Sequence, residues 1–398
     1  MTSALMPTYA RLPVAFRRGT GAWLEDTDGR HYLDALSGIA VCGLGHAHPA
    51  IAEALNDQAR TLIHTSNLYE VPLQEKLGGW LCKLSGLEQV FFANSGAEAN
   101  EAAIKLARRY GHEKGITRPE IIVADNAFHG RTLGALTATG NSKAQKGFGP
   151  LPEGFVRVPY NDAAAIEAAG NKNTVAVLIE PIQGEGGIRI PDNGYLKALR
   201  ALCDQHGWLL MLDEVQAGIG RTGLWFGHQH EAISADVITV AKALANGVPI
   251  GACIAGGPAA GILGPGTHGT TFGGNPLAAR AALAVIETIG HDDLLARAAT
   301  LGERILRGFQ DALKGTPGIT EIRGRGLMLG IELEAPCPDL VEKALDAGLL
   351  INVTAGSVIR LLPPLILTDD EADQLVSTLA PLIDETARTQ AGQRPASA

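Results

Sequence analysis

The sequence predicts an α/β protein, with a mostly parallel, doubly wound sheet in a large domain and a smaller α/β domain. Strand-like apolar runs alternate with helix-like segments from about residue 90 to about residue 290, which is the pattern of parallel sheets covered by helices. From about residue 292 a long helix precedes short strands and further helices, which favours a second unit. Two central apolar runs, Leu209–Leu212 and Val237–Ala241, each stop at a charged residue, and we expect both to be buried strands.

Length and composition indicate an ordinary globular chain with ample core. It has 398 residues, of which 46% are hydrophobic and 19% are charged. We expect a large domain over residues 63–290, with residues 1–62 and 291–398 forming the smaller domain. The net charge is −9 and the basic residues are scattered, which argues against a nucleic-acid partner.

The cysteine pattern and the absence of long apolar runs indicate the cellular compartment of the protein. The five cysteines are widely spaced without a C-x-x-C pair, so neither a disulfide framework nor a metal site is expected. Reduced thiols favour a cytoplasmic protein. The N-terminus lacks the apolar core of a signal peptide, and no run approaches the roughly 20 apolar residues of a membrane span.

The elements are predicted in order along the chain. Residues 1–20 are expected to be irregular, and a hairpin follows around the turn at Asp28–Gly29. Helices are expected from Pro49 and over Leu73–Leu84. The remaining strands are predicted at Val90–Phe92, Ile121–Val123, Thr174–Ile179, Ile250–Ala255, Ile319–Arg323, Leu327–Leu333, Leu350–Val353 and Val358–Leu361. The remaining helices are predicted after Ser95, over Tyr195–Gln205, after Pro276, and over Asp293–Leu313, Pro338–Ala347 and Asp369–Arg388.

Asp213 and Lys242 end the two central strands. Ligands of open parallel sheets lie at the carboxyl ends of the strands, so both side chains are expected at the same rim. An amine and a carboxylate in this arrangement suit pyridoxal phosphate, whose aldehyde bonds a lysine and whose protonated ring nitrogen pairs with an acid. A structural ion pair, or a lysine that caps the next segment, remains open on these two residues alone.

Other strand ends carry residues that could bind a cofactor or a substrate. Ser95-Gly96-Ala97 lies between a strand and a helix, where free N–H groups bind anions, although Ser95 alone could be a simple N-cap. The second group consists of an aromatic ring, polar side chains and a Gly/Thr-rich loop. Its members are Phe128, His129, Arg131, Glu180, Glu185 and His268–Pro276. Core packing remains open for Phe128, and a solvated loop charge for Arg131.

Seven ordered motifs, taken together, resemble the class III pyridoxal-phosphate-dependent aminotransferases. They are SGAEAN, NAFHGRT, EPIQGEGG, LDEVQAGIGRTG, AKAL, HGTTFGGNP and VIRLLPP. The likeness runs from about Gly21 to about Leu382 and implies a fold-type I transferase. Many relatives carry three glycines after AKAL, where this chain has Ala245-Asn246-Gly247, so the local backbone path is expected to differ slightly.

The resemblance implies a pyridoxal 5′-phosphate site, with roles for individual residues. Lys242 would bond the cofactor aldehyde and then carry a proton, while Asp213 would hold the ring nitrogen. Gln216 would bond the 3-oxygen, and Phe128 would stack on the ring. Phosphate contacts are implied for Ser95, Gly96 and Ala97, and other cofactor contacts for His129, Glu180 and Val215. Thr271 would reach the cofactor phosphate of a neighbouring subunit, which implies a homodimer with shared active sites.

The resemblance also implies the substrates. Arg131, with Thr270 nearby, would bind the α-carboxylate of N2-acetyl-L-ornithine, and Arg360 would bind that of 2-oxoglutarate. Glu185 would pair with Arg360 while the ω-amine reacts. The implied reaction moves the 5-amino group to 2-oxoglutarate, a step of arginine biosynthesis. Donors that remain open are succinylornithine, succinyldiaminopimelate, ornithine and 4-aminobutyrate, and a glutamate-semialdehyde aminomutase or a binding protein without turnover are further alternatives.

Overall fold

The computed structural model describes residues 4–392. Its N-terminal part forms three strands and three helices before the large sheet begins. These are β1 Phe16–Thr20, β2 Trp23–Asp26, β3 His31–Asp34, α1 Ser37–Ala40, α2 Pro49–Thr61 and α3 Pro72–Ser85. Pro49 and Pro72 each lie in the first turn of their helix, where a missing N–H group costs nothing.

Strands and helices alternate through the middle of the chain. In order, the elements are β4 Gln89–Ala93, α4 Gly96–Glu113, β5 Glu120–Ala124, α5 Leu133–Ala138, α6 Ser142–Gln145, β6 Phe155–Val158, α7 Ala163–Ala169, β7 Thr174–Ile179, α8 Tyr195–His206, β8 Leu209–Asp213, β9 Val237–Val240, β10 Gly251–Ala255 and α9 Pro276–His291. Three short 3₁₀ turns lie at Gly227–Glu231, Lys242–Ala245 and Gly257–Ala259.

The large sheet has seven strands in the order β4-β10-β9-β8-β7-β5-β6. The pairs from β9 to β6 are parallel, and β10 alone runs antiparallel to both of its neighbours. The expected mostly parallel sheet is therefore confirmed. The short connection between β9 and β10 explains the reversal, because a parallel crossover needs about a dozen residues or more.

Both faces of this sheet are buried, as expected for a layer between helices. Successive strand residues alternate between two apolar clusters. Ile122, Val177 and Leu210 point into one cluster, whereas Val123 and Met211 point into the other. The strand ends are thereby held rigidly.

The C-terminal part builds a separate sheet and completes the N-terminal one. Its elements are α10 Leu294–Ala312, β11 Ile319–Arg325, β12 Met328–Leu333, α11 Leu340–Asp346, β13 Leu349–Leu350, β14 Asn352–Thr354, β15 Val358–Leu361 and α12 Asp369–Gly392. Strands β11-β12-β15-β14 form one four-stranded sheet, and β13 pairs in parallel with β3 in the other. The domain boundaries at residues 62/63 and 290/291 stay a prediction.

Two local expectations were wrong. Residues 16–20 form β1. This exposed edge strand pairs with β2, and its sequence lacks the alternation of apolar and polar residues that marks a half-buried strand. The strand expected over Leu350–Val353 is split between two sheets, since Leu350 pairs with Asp34 whereas Asn352 pairs with Arg360. None of the helices between residues 4 and 392 combines the length and apolarity that a membrane span needs.

Candidate active site

A cavity of about 390 Å³ lies at the carboxyl ends of the central strands. Most of the residues singled out in the sequence line it. They are Ser95, Gly96, Ala97, Phe128, His129, Arg131, Glu180, Glu185, Asp213, Val215, Gln216 and Lys242. The strand-end acid and the strand-end amine thus share one cavity.

Lys242 opens the 3₁₀ turn that follows β9. Its backbone is left-handed, with φ of 40°, a conformation that costs a residue with a side chain about 1–3 kcal/mol and is concentrated at functional sites. Burial lowers the pKa of its amine, and Glu185 partly offsets this effect. The fold therefore favours a larger neutral fraction of this amine than an exposed lysine has.

Three donors fix the carboxylate of Asp213 at the end of β8. His129 Nδ1 lies 2.8 Å from Oδ2, and Asn100 Nδ2 donates to the same oxygen at 2.7 Å. The backbone N–H of Val215 donates to Oδ1 at 3.0 Å. Asn100 is itself oriented by Thr239, whose hydroxyl donates to its Oδ1 at 2.7 Å. The carboxylate is thus held in one orientation at the cavity.

Glu180 lies beneath the same cavity and is nearly fully buried. It accepts from the N–H groups of Phe128 at 3.0 Å and Gly184 at 3.2 Å. Burial raises its pKa to about 7, and the charge of Asp213 adds to that effect whereas His129 opposes it. The Glu180 carboxyl anchors the loop that presents the Phe128 ring.

Ser95-Gly96-Ala97 forms the expected strand-to-helix turn. Ser95 is the N-cap of α4 and its Oγ accepts from the N–H of Glu98 at 3.2 Å, so the simple capping role is real. The first-turn N–H groups of Gly96 and Ala97 have no helical partner by geometry and line the cavity. A side chain on Gly96 would approach Val215 Cγ1 to 2.8 Å. The turn therefore has the compact strand-to-helix geometry that suits an anion.

Arg360 reaches the edge of the site from β15. Its guanidinium is fully buried, lies 2.5 Å from Glu185 Oε1, and donates through Nε to Asn352 at 2.9 Å. Within residues 4–392, its Nη2 has no hydrogen-bond partner. Burial opposes ionisation of Glu185, but Arg360 outweighs that effect and the pKa of Glu185 lies below its usual value.

Three residues with predicted substrate or cofactor roles are exposed or lie outside the cavity wall. Arg131 lines the cavity but is exposed, with its guanidinium 5.6 Å from the centre of the Phe128 ring. Thr270 is outside the cavity wall and accepts from Asn94 Nδ2 at 3.2 Å. Thr271 is exposed on the same loop. The single chain does not bring these two threonines to its own cavity.

Sequence reasoning missed Asn100 and Val41. Asn100 follows Gly96 by one helical turn in the SGAEAN motif, so its i+4 spacing was an available signal that it shares a face with the anion turn. Val41 lines the cavity from the turn after α1, and nothing in its local sequence distinguishes it from core.

Comparison with known proteins assigns the chain to a family. The family described as aminotransferase class-III matches residues 5–383. Among curated relatives, a protein of Bordetella bronchiseptica named acetylornithine aminotransferase 1 is 58% identical over 387 residues, which cover 97% of this chain and 98% of the relative.

Solved structures share the fold over nearly the whole chain. The ornithine aminotransferase of Toxoplasma gondii, whose structure has partial occupancy of PLP at the active site, has a TM-score of 0.93 at 35% identity and covers 97% of this chain and 94% of its own. The N-acetylornithine aminotransferase of Stenotrophomonas maltophilia has a TM-score of 0.84 at 36% identity and covers 96% and 98% of the two chains. The fold-type expectation is thereby confirmed.

Proposed function

This chain belongs to the class-III aminotransferases, and from that premise we propose that it transfers the 5-amino group of N2-acetyl-L-ornithine to 2-oxoglutarate. The products are N-acetyl-L-glutamate 5-semialdehyde and L-glutamate, as in arginine biosynthesis. The observation that carries the proposal is the pairing of the buried Arg360 with the partly exposed Glu185 beside Lys242, because it gives the site two electrostatic states for two kinds of substrate. The high sequence identity to relatives named acetylornithine aminotransferase supports acetylornithine as the amino donor.

The residues present fit pyridoxal 5′-phosphate, the cofactor of this family. His129 Nε2 and Arg360 Nη2 are buried polar atoms without a partner in residues 4–392, which is costly unless a ligand meets them. Gly96 leaves room where a side chain would strike Val215. Asp213 would hold the ring nitrogen, the Ser95-Gly96-Ala97 turn the phosphate, and Lys242 the aldehyde carbon.

Acid–base work in this proposal falls to Lys242. When bound, the cofactor supplies an electron sink for the carbon that bears the amino group. The buried amine of Lys242, with its lowered pKa, removes a proton at that carbon and returns it one position away. Asp213, positioned by three hydrogen-bond partners, would accept the N–H of the ring nitrogen.

Substrate selection would depend on where each carboxylate meets an arginine. Arg131 lies exposed at the cavity wall beside Phe128, where it can meet the α-carboxylate of acetylornithine or the distal carboxylate of 2-oxoglutarate. While Glu185 neutralises Arg360, the uncharged carbon chain next to the 5-amino group is accepted there. When Glu185 moves away, the free guanidinium receives the α-carboxylate of 2-oxoglutarate. This second carboxylate site favours an aminotransferase over an aminomutase.

We further propose a homodimer with shared active sites in the cytoplasm. Large apolar side chains are exposed beside the loop that carries Thr270 and Thr271. They are Leu62 at 45%, Ile63 at 52%, Leu68 at 86%, Tyr69 at 70% and Phe272 at 60% exposure. Asn67 ties the two segments together, since its Nδ2 donates to the Thr270 carbonyl at 3.1 Å. Such a patch fits burial against a second copy, and the five free cysteines fit a reducing compartment.

A donor panel tests the proposed reaction. Acetylornithine, succinylornithine, ornithine and 4-aminobutyrate would each be offered with 2-oxoglutarate, and glutamate formation measured as kcat/KM. We expect acetylornithine to give the highest value. A clearly higher value for ornithine or 4-aminobutyrate would refute the proposed donor, and a higher value for succinylornithine would replace the acetyl group with the succinyl group.

A further inference from the structure

A short loop carries Glu185 from the end of β7 to the C-terminal sheet. Its base is closed by two backbone hydrogen bonds between Gln183 and Arg189, at 3.0 and 3.1 Å. The Gln183 side chain ties this base to the large sheet, because its Nε2 donates to the Asp125 carbonyl at 2.8 Å. Glu185 therefore lies near the tip of the loop, and the position of that tip decides how well its carboxylate meets Arg360.

Four residues of the C-terminal sheet lie in one row across its strands. Arg323 of β11 is opposite Gly330 of β12, and Gly330 is opposite Arg360 of β15. Arg360 is in turn opposite Asn352 of β14. Residues directly opposite each other in antiparallel strands present their side chains on the same face of the sheet. The two arginines are thus on one face, separated by a position that has no side chain.

The tip of the loop fills the space above Gly330. A Cβ added at Gly330 would lie 3.0 Å from the Cβ of Ile188, so even a methyl group would press on the loop. Ile188 is fully buried and has a left-handed backbone, with φ of 51°. A β-branched side chain strongly disfavours that conformation, and strain of this kind persists only where surrounding contacts impose it. The contacts that hold the tip therefore decide its position.

Arg323 supplies two of those contacts. Its Nε donates to the Ile188 carbonyl at 2.8 Å, and its Nη2 donates to the Gly187 carbonyl. Its third nitrogen, Nη1, is anchored by Glu332 at 2.7 Å and by Glu321 at 2.6 Å. The Arg323 guanidinium therefore holds the backbone of the loop, and Glu332 would still anchor it if Glu321 were replaced.

Two further contacts join the loop to the same sheet. Thr354 of β14 donates through Oγ1 to the backbone carbonyl of Glu185 at 2.6 Å. Arg189, at the base of the loop, binds both carboxylate oxygens of Glu332 at 2.7 Å. These contacts fix the backbone of the loop and leave the Glu185 carboxylate to pair with Arg360 or to turn away from it.

We propose that Arg323, together with Thr354, positions Glu185 and thereby sets donor selectivity. This role rests on the proposed gate that Glu185 and Arg360 form. Because the loop backbone is held on the C-terminal sheet, the gate opens by rotation of one side chain and closes to the same place after each turnover. A loop released from Arg323 would pair more weakly with Arg360, which would then be available more of the time to the α-carboxylate of a donor such as glutamate.

A double-mutant cycle on donor choice tests this role. The purified enzyme with its cofactor would be given glutamate or acetylornithine in single turnovers, and the ratio of the two rates measured for the parent, Arg323→Gln, Glu185→Gln and the double variant. We expect Arg323→Gln to raise the ratio of the glutamate rate to the acetylornithine rate by about threefold to tenfold. In the Glu185→Gln background the same substitution should cause no further rise, because it acts through Glu185.

The ratio compares two donors on one protein, so a smaller fraction of folded enzyme does not change it. An unchanged ratio in Glu185→Gln would refute the gate on which this role rests. A raised ratio in Glu185→Gln with an unchanged ratio in Arg323→Gln would overturn the positioning role alone. An equal rise from Arg323→Gln in both backgrounds would also overturn it, since Arg323 would then act by another route.

Hydrogen exchange gives a second readout that needs no substrate. In Arg323→Gln, the amides of residues 183–189 should exchange about tenfold faster than in the parent, because the loop opens more often. The amides of β8 should keep their protection. Equal exchange of the loop in the two proteins would contradict the holding role of Arg323.

Thr354→Val is a milder variant that decides the question by the same cycle if Arg323→Gln does not fold. It removes the 2.6 Å hydrogen bond to the Glu185 carbonyl and should raise the donor ratio about threefold. Thr288→Val is its matched control, because Thr288 is also buried and donates to a carbonyl at 2.7 Å, but within α9. The control should leave the ratio unchanged. An unchanged ratio in Thr354→Val, or an equal rise in Thr288→Val, would overturn the proposal.

Discussion

Arg360 Nη1 and Glu185 Oε1 lie 2.5 Å apart, joining β15 of the C-terminal sheet to the loop after β7 of the large sheet. The guanidinium is fully buried, whereas the carboxylate is 34% exposed. The acid can therefore move into solvent, while the arginine cannot. This asymmetry is what a gate for a second carboxylate requires.

Replacing Glu185 should change donor choice. Glu185→Gln leaves Arg360 without its anion. The ratio of the rate with glutamate to the rate with acetylornithine as amino donor should therefore rise by about tenfold to a hundredfold, which corresponds to the free energy of a charge-assisted hydrogen bond. Single-turnover rates with each donor measure this ratio. Glu321→Gln is the matched control, because Glu321 also pairs with an arginine, Arg323, at 2.6 Å but lies 53% exposed. An unchanged ratio in Glu185→Gln would remove the gate from the mechanism.

Loss of Asn100 should weaken cofactor binding. Asn100→Ala removes a 2.7 Å hydrogen bond to Asp213 and leaves Thr239 without its acceptor. We expect the dissociation constant of pyridoxal phosphate to rise about tenfold or more, as measured by equilibrium dialysis. Asn193→Ala, at an exposed position, should leave the constant unchanged. If both variants bind pyridoxal phosphate with the same dissociation constant, Asn100 does not position Asp213.

A methyl group at Gly96 should disturb the anion turn. Its Cβ would lie 2.8 Å from Val215 Cγ1, and crowding of this kind costs about 1–3 kcal/mol. We expect Gly96→Ala to lower cofactor affinity, and inorganic phosphate should protect the variant against thermal unfolding less than it protects the parent. In contrast, a Cβ added at Gly79 in α3 has no neighbouring atom within 4 Å. Gly79→Ala should therefore stabilise the protein by about 0.5–1 kcal/mol. Similar phosphate protection in Gly96→Ala and the parent would argue against the turn as a phosphate site.

The His46–Asp34 pair should make stability depend on alkaline pH. His46 has a folded pKa of about 9, above its unfolded value of about 6.5. Its contribution is therefore complete below about pH 6.5 and is lost as the pH rises through about 9. The difference in unfolding free energy between the parent and His46→Asn should shrink by about 1–2 kcal/mol between about pH 6 and pH 10, allowing for partial solvent screening. Denaturant titrations at each pH measure this difference. A difference that stays constant between these pH values would contradict the stabilising role of the His46–Asp34 pair.

The sequence predicted the large sheet and most cavity residues for a simple physical reason. Buried strands appear as short apolar runs, and the residues that follow them fall at one rim, so the sequence alone places Asp213 and Lys242 together, as the shared cavity confirms. The reversal of β10 was missed, because an apolar strand has the same composition in either direction.

Residues placed by tertiary contacts were harder to predict. Asn100 looks like any polar helix residue until the fold brings Asp213 within 2.7 Å of it. The positions of Thr270 and Thr271 could not follow from strand ends, because both lie in the loop between β10 and α9 and neither lines the cavity of its own chain. The pairing of His46 with Asp34, at 2.8 Å, joins residues twelve positions apart in sequence and depends on how the intervening chain folds back.

We propose that Lys242 is the residue that bonds pyridoxal phosphate. Borohydride reduction of the purified protein with its cofactor, followed by peptide mass mapping, tests it most directly. We expect the pyridoxyl phosphate mass on the peptide that contains Lys242, and no such mass in Lys242→Ala. The same mass on another lysine, with Lys242 unmodified, would contradict the account.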